Sequence, residues 1–281
     1  MVELDPPSVI ISGASGGIGR ACALHLDRLG FRVFAGVRHV AAGQALQQEA
    51  STRLQPLILN VTEPASIAAA EASVRQAVGP AGLSGLVNNA GMALNGPLEF
   101  LPLDDIRAEY EVNVLGSVAM IQAFLPLLRQ GSGRIVNMGS VCGRVAVPFA
   151  GSYSASKFAL VGLSDALRLE LKPLGIHVAL IEPGAISTAI WDKFFAAGQS
   201  LFDRLPEPAR RLYEANFARQ QQTLRQLGRF GLAPTKVALS VAHALTASQP
   251  RHRYLIGPEA RAVDWLDRFV PDRLRDLLIP R

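Results

Sequence analysis

What most limits the fold of this chain is an alternation between two kinds of apolar segment. Short runs rich in β-branched residues recur at Val9–Ser12, Arg32–Val37, Leu57–Val61, Gly85–Asn88, Arg134–Met138, His177–Ile181 and Arg253–Ile256. Between them lie longer Ala- and Leu-rich stretches, among them Arg20–Leu29, Ala65–Val78, Ile106–Leu128 and Ser154–Leu171. Apolar residues return there every three or four positions, as on one face of a helix. The short runs are apolar almost throughout, the pattern of strands covered on both faces. Repeats of this kind close into a parallel sheet with right-handed crossovers and helices on both sides. The chain therefore predicts one α/β domain over residues 1–281, a doubly wound parallel sheet of about seven strands. Residues 186–230 form an insertion in it and 258–281 a C-terminal extension.

Composition agrees. Of the 281 residues 49% are hydrophobic and 18% charged, enough apolar material for a large core. Cys22 and Cys142 are too few for a disulfide framework or a four-sulfur metal site, which fits a reducing compartment. No apolar run reaches the ~18 residues of a membrane span, and the first residues lack the basic and apolar regions of a signal peptide. A soluble, cytoplasmic protein is expected. The net charge of +5 comes entirely from residues 201–281, where 14 basic face 8 acidic side chains. No nucleic-acid-binding motif accompanies that excess, so it reads as a solvated surface. The five histidines have no metal-ligand spacing, and no metal site is expected.

The first strand runs directly into Gly13-Ala14-Ser15-Gly16-Gly17-Ile18-Gly19, with a helix from about Arg20. Gly13 permits a tight turn, Gly17 lets backbone approach a pyrophosphate, and Gly19 allows close helix–strand packing. Amides at the helix N-terminus can then donate to phosphate oxygens. This is a dinucleotide turn, and it makes the sheet Rossmann-type. Ser15 and Ile18 join the three glycines as expected cofactor contacts.

Further motifs follow in order: Asn88-Asn89-Ala90-Gly91 closing the fourth strand, Asn113 within a long helix, and Ser140 ending the fifth strand. Tyr153-Ser154-Ala155-Ser156-Lys157 opens the next helix, and Pro183-Gly184-Ala185-Ile186-Ser187-Thr188 leaves the sixth strand. Together these resemble the short-chain dehydrogenase/reductase family over about residues 8–257. The tail and the 189–230 insertion are more similar to its retinol and hydroxysteroid dehydrogenase branch.

Tyr153 and Lys157 are four apart and share a helix face. A free tyrosine titrates near ~10, and a nearby ammonium favours the phenolate and lowers that value. Tyr153 can then act as general acid in carbonyl reduction or as base in alcohol oxidation. Ser140 is placed to hydrogen-bond the same substrate oxygen. The resemblance implies that Lys157 also binds the nicotinamide ribose and that Asn113 supports a proton relay. It further implies that Asn89, Ala90 and Gly91 lie beside the adenine-side ribose and that Thr188 holds the carboxamide. Pro183, Gly184, Ile186, Asn60 and Val61 complete the expected cofactor contacts; the family usually has Asp where this chain has Asn60. Cys142, without a histidine partner of recognised spacing, reads as small core filler.

The second strand ends Val37-Arg38. An acidic residue there would accept from both ribose hydroxyls of NAD; Val37 offers no carboxylate, and Arg38 can pair with a 2′-phosphate. NADP(H) is favoured, with NAD(H) as the alternative if Arg38 is merely solvated. The insertion holds Trp191, Phe194, Phe195, Phe202, Tyr213, Phe217 and Phe230, which is 7 of the 18 aromatics. It is expected to cover a small-molecule apolar alcohol or carbonyl, such as a steroid or retinoid, with Trp191, Phe194 and Phe195 in contact. The alternative is that these rings pin extra helices to the body or to another subunit. Tyr213, Phe217, Leu224 and Leu227, rimmed by Arg210, Arg211, Arg219 and Arg225, also form a face that can rest on a membrane. By analogy a homo-oligomer, dimer or tetramer, is expected. A redox sensor that binds cofactor without turnover is the competing function, and sugar-nucleotide epimerases share the Tyr-x-x-x-Lys pair.

Overall fold

The computed structural model describes residues 6–271, 273 and 274. A wholly parallel seven-stranded sheet runs in the order β3-β2-β1-β4-β5-β6-β7. The strands are β1 Ser8–Ile11, β2 Arg32–Val37, β3 Leu54–Ile58, β4 Gly85–Asn88, β5 Arg134–Met138, β6 His177–Pro183 and β7 Arg253–Ile256. This is the doubly wound, Rossmann-type sheet expected. The order reverses between β1 and β4, and ligands of open α/β sheets bind at such a switch point. Part of the expected 258–281 extension, residues 272 and 275–281, lies outside the described residues, as do residues 1–5.

Continuous burial along each central strand supplies two cores. In β1, Val9 and Ile11 face α1 (Gly17–Arg28) and α9 (Pro234–Thr246), where Cys22, Leu26, Val237 and Val241 pack against them. Burial pushes the Cys22 thiol up to about 12, an inert core residue. Ile10, between them, faces α3 (Pro64–Val78) and α5 (Gly116–Gln130), with Val74, Met120, Phe124 and Leu128. α2 (Val40–Gln47) follows β2 on the way to the sheet edge.

Two expected boundaries move. The third strand lies at Leu54–Ile58 and not at Leu57–Val61. Among the described residues it is an edge strand paired with β2 alone, so Gln55 and Ile58 are exposed and Pro56 fits where no second ladder needs its missing N–H. The apolar run Leu57–Val61 instead begins in the strand and ends in the turn beyond it. The expected helix Ile106–Leu128 is α4 (Leu103–Tyr110), a π-helical turn at Glu111–Leu115, and α5. By length and composition Leu103–Gln130 is apolar enough to cross a bilayer, contrary to the expectation of no such run. In the fold its apolar face is spent on the sheet, through Met120, Ile121, Phe124, Leu127 and Leu128.

The insertion comprises α7 (Ile190–Asp203) and α8 (Glu207–Arg229), and α6 (Gly151–Leu171) carries the Tyr153–Lys157 segment. α10 (Pro258–Phe269) is tied to the body by a buried charge cluster. Arg144, six residues beyond β5, donates from Nε and Nη2 to Glu182 Oε1 and Oε2, both at 2.8 Å, and from Nη1 to Asp264 on α10. Glu182 is fully buried in β6. Burial alone would weaken the arginine's charge, but the two carboxylates outweigh it and hold its pKa above the ordinary value. Among the described residues, removing Arg144 leaves Glu182 with Arg253 alone, at 3.6 Å. Arg144→Ala is therefore expected to cost about 3 kcal/mol of stability in urea unfolding, and Arg144→Met with Glu182→Leu to recover most of it. A single-variant loss below about 1 kcal/mol would show that the cluster is not what fastens α10.

Candidate active site

The turn after β1 is built from close backbone contacts. Gly13 has φ +67°, and a Cβ there would lie 2.9 Å from Ala90 Cα. The Ser12 hydroxyl accepts from the amides of Asn89 and Ala90, each at 3.0 Å. Asn89 Nδ2 donates back to the carbonyls of Ser12 and Gly13, at 3.0 and 3.1 Å. The loops that follow β1 and β4 are thus stitched together at the switch point, and the Asn89 side chain is spent on that brace.

The turn fits a dinucleotide. α1 starts without a side-chain cap or an acidic residue in its first turn, so its leading amides are free for phosphate oxygens. A Cβ at Gly16 would meet nothing within 4 Å, and Ser15 is exposed beside it. Thr188 reaches across from the end of β6, its methyl 3.2 Å from where a Gly17 Cβ would be. Ile18 instead leans on the first core, and Val61 is buried in the second. Ile186 is buried too, and the flanking Ala185 carbonyl and Ser187 amide bond to Leu232. Asn60 turns its side chain to Glu63 and Thr62 at the start of α3, a local cap. Val37 is buried, while Arg38 is exposed at the end of β2 with no ion pair among the described residues.

The expected catalytic set comes together. The π-helical turn carries an extra residue per turn and places Asn113 inward. There it accepts from the Met92 amide and donates to the Met92 carbonyl and the Ser156 hydroxyl, all at 2.9 Å. Lys157 is buried, donates to the Met138 carbonyl at 2.9 Å, and lies 5.7 Å from the Tyr153 ring centroid. Ser140 caps the short turn after β5 by accepting from the Cys142 amide at 3.1 Å.

The electrostatics differ from expectation in sign. Tyr153 keeps partial surface exposure, yet burial raises its phenol above the ordinary value, Cys142 and Glu109 add to the rise, and Ser140 opposes it. The depression expected from Lys157 does not appear among the influences on that phenol, and burial pushes the lysine itself down to about 8. Cys142 is not remote core filler: it is half-buried beside this pair, its own thiol raised by burial and therefore protonated at neutral pH.

Two groups escaped the sequence reading. Glu109 is wholly buried, with Oε1 accepting from the Leu94 amide at 2.8 Å and Oε2 from the Ser152 hydroxyl at 2.5 Å. Burial raises its carboxyl, those donors oppose the rise, and its charge acts on both Tyr153 and Lys157. Its position four residues before Asn113 was the available signal. Asn95, almost entirely buried under α7, gave none.

The insertion divides in two. Trp191, Phe194 and Phe195 cluster with Tyr153, Ala93, Val147, Ala150 and Leu224. Trp191 stacks on Phe195 at 5.8 Å, and the Arg225 guanidinium lies over the same Phe195 ring at 4.4 Å. Phe202, Tyr213 and Phe217 instead pack on Phe100 and Phe149 and hold the helices down. The α8 face expected to rest on a membrane is therefore largely covered by protein, although Leu227 and Phe230 remain exposed.

A family model described as short chain dehydrogenase matches residues 7–198. Retinol dehydrogenase 5 of Mus musculus is 38% identical over 278 residues, covering 96% of this chain and 87% of that protein. The 17-beta-hydroxysteroid dehydrogenase type 6 of Bos taurus is 36% identical over 284 residues, covering 99% and 89%. Among solved structures, a short chain dehydrogenase/reductase of Burkholderia phymatum in complex with NAD has TM-score 0.79 and 26% identity, covering 100% of this chain and 97% of that one. A short chain dehydrogenase of Burkholderia cenocepacia in complex with NADP has TM-score 0.75 and 25% identity, each chain 98% covered. A nicotinamide dinucleotide thus suits both the glycine turn and the fold's relatives. On that likeness and on its own switch-point geometry, this chain belongs to the short-chain dehydrogenase/reductase family, in the branch of the retinol and hydroxysteroid dehydrogenases, and is an oxidoreductase acting on CH–OH groups.

Proposed function

We propose that the protein interconverts an apolar secondary or primary alcohol with its carbonyl, using NADP(H) in preference to NAD(H). The observation that carries this reading is the ring cluster of Trp191, Phe194 and Phe195 closed over Tyr153, which gives the reacting hydroxyl an apolar, water-poor neighbour. The bound nicotinamide supplies or accepts the hydride. The chain's own residues do the rest. Tyr153 Oη holds the proton that moves to or from the substrate oxygen, and Ser140 Oγ fixes that oxygen in place. Lys157 binds ribose hydroxyls from a position set by the Met138 carbonyl. Asn113 keeps the Met92 loop and Ser156 beside it. Gly13, Gly17 and Gly19 with the start of α1 hold the pyrophosphate, Arg38 the 2′-phosphate and Thr188 the carboxamide. Retained Tyr153 and Lys157 in one buried site argue against a sensor without turnover.

Tyr153→Phe removes only the proton-carrying hydroxyl, so kcat is expected to fall at least 10²-fold with NADPH affinity nearly unchanged. Retention of more than about a tenth of wild-type activity would refute the assignment. Val37→Asp with Arg38→Leu supplies a ribose acceptor and removes the phosphate partner, and is expected to move the kcat/KM preference from NADPH toward NADH. A wild-type enzyme that binds NADH more tightly than NADPH contradicts the cofactor choice. Phe194→Ser or Phe195→Ser gives up about 1.5–3 kcal/mol of apolar burial. KM for bulky apolar alcohols should therefore rise about tenfold or more, and KM for small ones far less. Equal losses for both sizes would mean that these rings serve the fold alone.

A further inference from the structure

The loop after β4 carries a polar side chain that the reaction as described does not use. Asn95 is 2% exposed, and among the described residues neither its Oδ1 nor its Nδ2 has a hydrogen-bond partner. An unpaired buried carboxamide is costly, and native structures keep few of them. Its neighbours are fixed: the Leu94 amide donates to Glu109 at 2.8 Å and the Gly96 amide to the Phe149 carbonyl at 2.8 Å. The backbone is therefore held on both sides, and the side chain is presented to the seam between this loop and α7.

That seam leads to Tyr153. The Asn95 carboxamide lies against Gly198 of α7, where any Cβ would collide with it. Gly198 follows Phe194 and Phe195 by four and three residues, hence one turn along the same helix face. Phe194 and Phe195 close over Tyr153 together with Ala93 of the Asn95 loop. A molecule that parted these rings from the loop to reach Tyr153 would meet Asn95 one turn further along α7.

We propose that Asn95 is a specificity-determining residue that hydrogen-bonds a second oxygen of the substrate, at the end away from the reacting carbon. This rests on the proposed alcohol–carbonyl activity. A carboxamide both donates and accepts, so the second group is a hydroxyl or a carbonyl. The substrate class is then a rigid apolar skeleton with oxygen at both ends, as in a hydroxyketosteroid, and not an alcohol with a plain hydrocarbon tail. A site built to pair a polar group discriminates strongly against the analogue lacking it, because the buried partner is left unpaired.

The test compares androsterone, which has a 3-hydroxyl and a 17-ketone, with 5α-androstan-3α-ol, which lacks the ketone. Binding to the NADP-loaded protein is read from Trp191 fluorescence in a Trp265→Phe background, since Trp265 is exposed on α10. Androsterone is expected to bind at least tenfold more tightly. Asn95→Leu should remove that difference by weakening androsterone alone, while raising Tm; Asn95→Ala replaces it if the leucine variant misfolds. Equal wild-type affinities, binding of neither steroid, or parallel weakening of both by the variant overturns the proposal. Selective binding without any oxidation of either steroid leaves the Asn95 subsite standing and defeats the alcohol–carbonyl reading instead. Oxidation of both without selectivity does the reverse.

Discussion

The hydrogen bonds between the Ser12 and Asn89 regions are the constraint on which the rest of the molecule depends. Strands β1 and β4 are neighbours whose following segments leave the sheet on opposite sides, so a cleft opens between them. A cleft between two unsupported loops would collapse or spread. The Ser12 hydroxyl, taking two amides, and the Asn89 carboxamide, giving to two carbonyls, fix its width with four hydrogen bonds. The glycine turn, the start of α1 and the Thr188 contact all refer to that fixed edge. This also explains why Asn89 is an asparagine: donors facing two backbone carbonyls are what the position requires.

A second layer of support fixes Lys157, Asn113 and Glu109 through backbone groups. Lys157 is aimed by the Met138 carbonyl at the end of β5, Asn113 by Met92 in the loop after β4, and Glu109 by Leu94 in that same loop. The anchor of Lys157 ends a central strand and those of Asn113 and Glu109 lie in the loop that follows another, so sheet register and that loop together set their spacing. The cluster of Arg144, Glu182 and Asp264 ties β6 and the turn that carries Ser140 to α10.

Much of this was legible in the sequence. Continuous apolar runs marked strands buried on both faces, and the glycine spacing after Ser12 marked the dinucleotide turn. Tyr153 and Lys157 could be paired because helical spacing is a local property. What stayed hidden depends on tertiary packing. The edge strand at Leu54–Ile58 is half exposed and proline-bearing, so its pattern is weaker than that of the apolar turn beyond it. The π-helical turn around Asn113 leaves no mark on apolar periodicity. Asn60 matched a cofactor contact by position, but its nearest polar neighbours, Thr62 and Glu63, take its side chain first. The aromatic insertion offered two readings that local sequence could not separate: Trp191, Phe194 and Phe195 gather at Tyr153, while Phe202, Tyr213 and Phe217 fasten the helices to Phe100 and Phe149.

The titratable groups show most clearly why residue type and spacing do not fix chemistry alone. A tyrosine four residues before a lysine invites the inference that the ammonium draws the phenol down. In the folded chain the lysine is buried and the tyrosine partly so, and burial acts on them in opposite senses, raising the phenol and lowering the lysine to about 8. Glu109 then acts on both in one sense: a negative neighbour disfavours the phenolate and favours the ammonium. At neutral pH the raised phenol therefore stays protonated beside a largely protonated lysine. A residue outside the familiar motif, fixed by one amide and one serine hydroxyl, thus takes part in setting the charge state of the pair the motif supplies.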